Sequence, residues 1–383
     1  MRFKKIDTYV LEYPEPNDFS TNRYTLILRI ETDDGCIGWG EGIAMWPEAC
    51  KAGEIIIREG LFPLLKEEDP LDIEKCWQMM RRHTWWYGYN HSGVANFAVS
   101  AIDIALWDIK GKHLQQPLFN LLGGKVVDKL PANASIHVNQ PTIAETIKDV
   151  EGYLKKDFRS VKLGFAKKGL SKVGKVSPDY DVNFIKELRE AIGEGPDIMV
   201  DIGNGVRWDV PTAVKTTKRM EVYNIRWIEE PLYPTDIKGY RVLKSQTNTL
   251  IGSGEREWCY ENYQALLQQD CIDVFGMDPA RIQGITAYKR IKDMISANHR
   301  FVNAHAWSTA ITTAASLHCS LASDNSMVFE LKPVPGPVQF DIVQKPIVPE
   351  NGWISIDDNP GLGIEIIEKE LLKLSVVHHE VTV

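Results

Sequence analysis

Six polar residues recur at a near-constant interval through the second half of this chain, each closing a short apolar run. "DIMVD" ends at Asp201, "IRWIE" at Glu229, "LIGSGE" at Glu255, "IDVFGMD" at Asp278, "RFVNAH" at His305 and "MVFE" at Glu330. From 201 to 229, 255, 278, 305 and 330 the successive separations are 28, 26, 23, 27 and 25 residues. If such residues converge, Asp201, Glu255 and a carboxylate of "WIEEP" repel one another and take up protons unless a counter-charge is present. A hard divalent cation turns them into oxygen ligands, and Mg²⁺ is the usual choice when water and substrate complete the shell. A single acid after a strand is more often a helix cap, and a lone histidine more often a satisfied core residue. His137 in "SIHVN" is expected to be just that. Six residues in register ask for more than capping.

The elements that must position them follow from the same rhythm. One βα repeat of a closed barrel takes about 30 residues, or about 250 over eight units, and its chemistry sits at the C-terminal mouth of the strands. After "LLGGK" (Leu121 to Lys125) short apolar strands alternate with amphipathic helices, the pattern of a parallel sheet. In "IRWIEEPLYP", Ile225 to Pro234, an apolar strand ends in two adjacent acids. Successive strand residues face opposite sides, so one of Glu229 and Glu230 points inward and the other toward the surrounding layer. Earlier in the chain, from Lys5 to about Glu41, β-rich runs flank the turn signal "DDG" and predict a small antiparallel sheet. "SGVANFAVSAIDIALWDIKGK" then reads as a helix capped by Ser92 and ended near Gly111, its small residues implying close packing.

Composition limits what such a site serves. The chain has 383 residues, 44% hydrophobic and 25% charged, with a net charge of -8 and dispersed Lys and Arg. That balance argues against nucleic acid or an anionic membrane as partner, since both reward clustered basic residues. No 18-residue apolar run and no secretory leader pattern are present, so a cytoplasmic location is expected. Six scattered cysteines without a CxxC disfavour zinc or a disulfide framework.

The series "VKLGF", "IMVDIGNG", "WIEEPL", "GSGERE", "GMDPARIQGIT", "VNAHAW" and "FELKP", preceded by "SAIDIALWDIKGK" and followed by "NGWISIDDNPGLGIEI", resembles the mandelate racemase subgroup of the enolase superfamily over nearly the whole chain. The resemblance implies an α/β fold, a (β/α)7β modified TIM barrel over residues 126–344, capped by an α+β domain from 1–125 and about 345–383. It makes Asp201, Glu229 and Glu255 the Mg²⁺ ligands, and leaves Glu230 for the opposite side of the strand. It gives Asp278 and His305 as a paired base, Glu330 as the acid bonded to the substrate carboxylate, and Lys162 as the cation against the developing enediolate. The reaction then begins by removing the proton α to a carboxylate. A homo-oligomer is also implied, octamers and dimers being common in the subgroup.

Gly164 departs from the pattern, because the subgroup's "KxK" has its second lysine there. A racemase needs bases on both faces of the α-carbon, so a one-sided site fits a dehydratase better. "GER", with Arg256 after Glu255, is similar to acid-sugar dehydratases. The expected reaction is dehydration of a sugar acid to a 2-keto-3-deoxy acid, with a cycloisomerase or an epimerase as the alternative. The substrate is thus a small sugar acid, with Arg256 and the aromatics Trp86 and Tyr89 of "RRHTWWYGYNHSG" as candidate contacts.

Overall fold

A computed structural model describes all residues except 89–92, 204 and 207. The N-terminal strands β1 (Phe3–Glu15), β2 (Thr21–Thr32) and β3 (Ile37–Met45) form an antiparallel sheet, with Gly35 at φ +82° in the turn before β3. Eight parallel strands follow: β4 (Leu130–His137), β5 (Ser160–Gly164), β6 (Asp197–Asp201), β7 (Ile225–Glu229), β8 (Leu250–Ser253), β9 (Val274–Met277), β10 (Phe301–Ala304) and β11 (Ser326–Leu331). β11 pairs back onto β4 through Phe329 and Ala132, which closes the barrel. A short strand β12 (Trp353–Ile354) runs antiparallel to β4, and β13 (Ser375–Thr382) returns to pair with β1, giving the cap order β13-β1-β2-β3.

Helices join successive barrel strands, and local chemistry marks their starts. Thr142 and Glu145 form a reciprocal capping box before Ile143–Leu154. Ser177 precedes Pro178 at the start of Pro178–Ile192 and accepts from the Tyr180 amide, while Asp209 and Asp236 cap the next two helices. β5 is buried along its whole length, as a strand covered on both faces must be.

The helix Gly93–His113 lies directly on β3, where glycines alternate along one face. A Cβ on Gly40 would stand 1.8 Å from the Ala101 carbonyl oxygen, and Gly38 and Gly42 are similarly crowded by Ala105 and Phe97. Backbone contact of this kind excludes any side chain, which is the packing the small residues foretold. Ser92, the expected cap of this helix, lies outside the described residues. Among the described residues, no helix is long and apolar enough to cross a membrane.

Candidate active site

Lys162 stands mid-strand in β5, Asp201 and Glu229 end β6 and β7, and Glu330 lies inside β11. Asp278 and His305 are the first residues after β9 and β10. Glu255 follows β8 across Gly254, whose φ of 118° and approach to the Gly276 carbonyl require glycine. The seven side chains therefore share the C-terminal mouth of the barrel. Register adds a further relation: His137, Gly164, Asp201 and Glu229 are successive partners across β4 to β7 and form one rung facing the same way.

The Lys162 ammonium lies 3.0 Å from Glu229 Oε2 and 2.8 Å from Glu330 Oε1. Burial opposes its charge, but Glu229, Glu330, Asp201 and Glu255 together hold its pKa well above the ordinary lysine value. Burial pushes Glu229 upward; Lys162 resists, and the charges of Asp201, Glu330 and Glu255 add to the rise. The Asn303 amide donates to Glu330 Oε1, while the buried Oε2 has no partner among the described residues. That orphaned acceptor faces a demand for a donor.

His305 Nδ1 lies 3.0 Å from Asp278 Oδ2, and the Ala306 amide donates to Asp278 Oδ1 at 2.7 Å. His305 Nε2 lies 3.2 Å from Glu255 Oε2. Burial disfavours a charged imidazole, yet Asp278 and Glu255 raise its pKa to about 9. Asp278 moves down despite burial, held by His305, Arg281 and the Ala306 amide.

Asp201, Glu229 and Glu255 come from three consecutive strands and offer only hard oxygen donors. Among the described residues no three acids or histidines close into a ready cage. Glu255 instead meets His305 and, at 3.0 Å, Arg256, while Asp201 lies 3.5 Å from the Lys167 ammonium. Three hard carboxylates at one barrel mouth make a donor set that fits a hard divalent ion.

Glu230 follows the last residue of β7 at φ 45°, where the strand ends, is only 2% exposed and is not among the residues that line the cleft. Arg256 donates to its Oε2 from Nε at 3.1 Å and Nη2 at 2.7 Å. Arg256 thus lines the cleft while bridging Glu230 and Glu255. Trp86 is 95% exposed and does not line the cleft, and Tyr89 lies outside the described residues.

The cleft above the barrel has a volume of about 740 Å³ and takes in Lys162, Asp201, Glu255 and His305 below, with Trp46 and Arg23 from the cap. Two members escaped the sequence reading. Lys167 folds back so that its Cε would lie 2.7 Å from a Cβ on Gly164, and His137 lies beside it rather than in the core. The only sequence signal was Gly164 itself, an unfilled position between them.

Comparison with known proteins agrees with this architecture. Residues 16–123 match the mandelate racemase / muconate lactonizing enzyme N-terminal domain, and residues 145–370 match the enolase C-terminal domain-like family. The D-galactonate dehydratase of Klebsiella pneumoniae is 30% identical over 361 residues, covering 91% of each chain. The D-galactarolactone cycloisomerase of Agrobacterium fabrum is 28% identical over 389 residues, covering 96% of this chain and 97% of that one. The crystal structure of the 3,6-anhydro-D-galactonate cycloisomerase from Zobellia galactanivorans superposes with a TM-score of 0.87 at 28% identity, covering 98% of this chain and 100% of the other.

Proposed function

The chain belongs to the mandelate racemase / muconate lactonizing enzyme family of the enolase superfamily, and from that premise we propose that it dehydrates a sugar acid to a 2-keto-3-deoxy acid. The observation that carries this reading is the Asp278–His305 pair facing the cleft across from Lys162, with Gly164 where a second lysine would give a racemase its other base.

Lys162, already between Glu229 and Glu330, bonds the substrate carboxylate and stays cationic as negative charge grows on it. Glu330 Oε2, orphaned and buried, takes or shares a proton with that carboxylate. His305 Nε2 removes the α-proton, while Asp278 fixes the ring through Nδ1 and stabilises the imidazolium formed. Asp201, Glu229 and Glu255, all hard oxygen donors, would hold a divalent cation such as Mg²⁺, which when bound would supply electrophilic stabilisation of the enediolate. Loss of the β-hydroxyl then completes the elimination.

The D-galactonate dehydratase relative supports this reading. The two cycloisomerase relatives support a second one, which shares the first proton transfer and expels a ring oxygen instead of water. A screen of aldonates, aldarates and their lactones with added Mg²⁺ separates them. Dehydration lowers product mass by one water and gives a 2-keto acid; a product of unchanged mass from a lactone, with no acid dehydrated, would overturn the proposal.

A further inference from the structure

The proposed elimination needs a proton for the departing oxygen, and the rung His137–Gly164–Asp201–Glu229 places a histidine in the same barrel layer as two candidate metal ligands. His137 ends β4 and lines the cleft. Its Nδ1 lies 3.2 Å from Asp18 Oδ1, on the cap loop, and its ring stacks on Trp307 with centroids 4.7 Å apart. The contact with Asp18 is an ion-pair approach, since the buried Nδ1 makes no hydrogen bond of full geometry among the described residues, and the residue lines the cleft. Asp18 is itself fixed, accepting from Arg23 Nε at 3.1 Å and Nη2 at 2.9 Å and from Thr21 at 3.0 Å.

The loop that carries Asp18 is fastened to the barrel. Lys332 reaches Glu15 at 2.6 Å, and Asn17 exchanges two hydrogen bonds with the Val334 backbone, at 2.7 and 2.9 Å. Gly164, next on the rung, leaves the ring room: a Cβ there would stand 3.2 Å from His137 Cδ2. These features describe a second oriented imidazole and carboxylate, separate from Asp278 and His305 and served by a different strand and the cap.

We propose that His137, oriented by Asp18, is the proton donor to the oxygen that leaves the β-carbon, while His305 takes the α-proton. This rests on the dehydratase reading above. His305 gains the α-proton; the electron pair of the enediolate then forms the C2–C3 double bond as the C3–O bond breaks. The departing oxygen takes its proton from His137 Nε2 and leaves as water, and the enol product becomes the 2-keto acid. Solvent restores the proton to His137 and removes the one on His305. Burial pulls His137 below the ordinary imidazole value, with Lys167 and Arg23 in the same direction, and the Asp18 carboxylate 3.2 Å away is what favours its protonated form. Asp18, held well below the usual carboxylate range by His137 and Arg23 despite burial, is a positioning residue.

The test separates proton removal from elimination. Wild type, His137→Gln and Asp18→Asn, each full length with Mg²⁺, are compared in deuterated water on the best substrate among D-galactonate, D-gluconate and D-xylonate. Each variant is also given that substrate's 3-deoxy-3-fluoro analogue, whose fluoride leaves without a proton. His137→Gln is expected to form keto acid about a hundredfold more slowly, to keep exchanging the α-proton with solvent within a few-fold of wild type, and to release fluoride nearly as fast. Asp18→Asn should shift the same ratio in the same direction by less. Loss of exchange and elimination together, fluoride release slowed as much as water release, or unchanged elimination would each overturn the role of His137. A wild type that exchanges the α-proton of these acids but never releases water overturns the dehydratase reading instead, and the donor role with it.

Discussion

Replacing Lys332 with methionine should destabilise the protein by about 3–5 kcal/mol, because it leaves a buried anion without its cation. The Lys332 side chain is fully buried and that of Glu15 is 1% exposed, with 2.6 Å between ammonium and carboxylate. Burial lowers the Lys332 pKa even though Glu15 resists, while Glu15 also moves down because Lys332 and Asn17 outweigh its own burial. The 2.6 Å contact makes the two a buried ion pair. Glu15→Gln alone leaves the mirror problem. The double variant Glu15→Gln/Lys332→Met removes both charges, keeps the Asn17 bonds to Val334, and should recover most of the loss, since an ion pair replaced whole is often neutral. Urea midpoints of the four proteins form a double-mutant cycle with an expected coupling of about 2–3 kcal/mol, at the upper end for contacting residues. Turnover is read alongside, since the pair anchors the loop that carries Asp18. A single variant as stable as wild type, or a double no better than the single, would refute a buried ion pair at this position.

Glu229→Gln should remove Mg²⁺-dependent turnover, whereas Glu230→Gln should retain metal dependence and lose about 1–3 kcal/mol of stability through its weakened bond to Arg256; activity titrated with Mg²⁺ after exhaustive chelation, and urea midpoints, report both. Full turnover by the chelated enzyme would sink the ligand assignment. His305→Asn should abolish turnover and Asp278→Asn should cost nearly as much, with only acids of 2R configuration consumed, as the subgroup's histidine base implies; paired 2R and 2S acids with deuterium read into the product check this. Burial lowers the His318 pKa from 6.5 to about 4, so the unfolded chain binds the extra proton and stability present above pH 6.5 is lost as pH falls toward 4, by about 3 kcal/mol in all. His318→Gln should flatten that slope, and parallel denaturation curves at pH 7 and 5 for both proteins would disprove the assignment.

The barrel and its lower site were legible because a period near 26 residues and a polar residue at each strand end are both local signals. Their burial and pairing follow from closure of the sheet. The backbone at Glu230 was not legible, because strand alternation stops at Glu229 and a left-handed φ at the next residue is not written in composition. His137 looked like a core histidine because its partner Asp18 is more than a hundred residues away in sequence, on a cap loop that meets the barrel only in the fold. Lys167 was hidden in the same way: glycine at 164 announces a missing lysine, but not that a neighbour three residues on folds over the gap. The aromatic run at Trp85 to Tyr87 showed where large side chains gather without showing which way they point.

The cap sheet is closed by β13, whose Glu380 meets Lys5 of β1 across 375 residues of chain. On the ribosome, β1 therefore emerges some 360 residues before the strand that covers its outer edge, a wait of roughly 20–70 s at ordinary translation speed. Through that interval a 13-residue strand carrying Tyr9, Val10 and Leu11 has one unpaired side, a template for pairing with a nascent neighbour. Inside the barrel each strand meets its next neighbour within one repeat, and the longest wait there is that of β4 for β11, about half as long, from Ala132 to Phe329. Misassembly of newly made chains should thus begin at the cap, and its yield should depend on chaperone supply and on growth temperature more than on any residue at the barrel mouth.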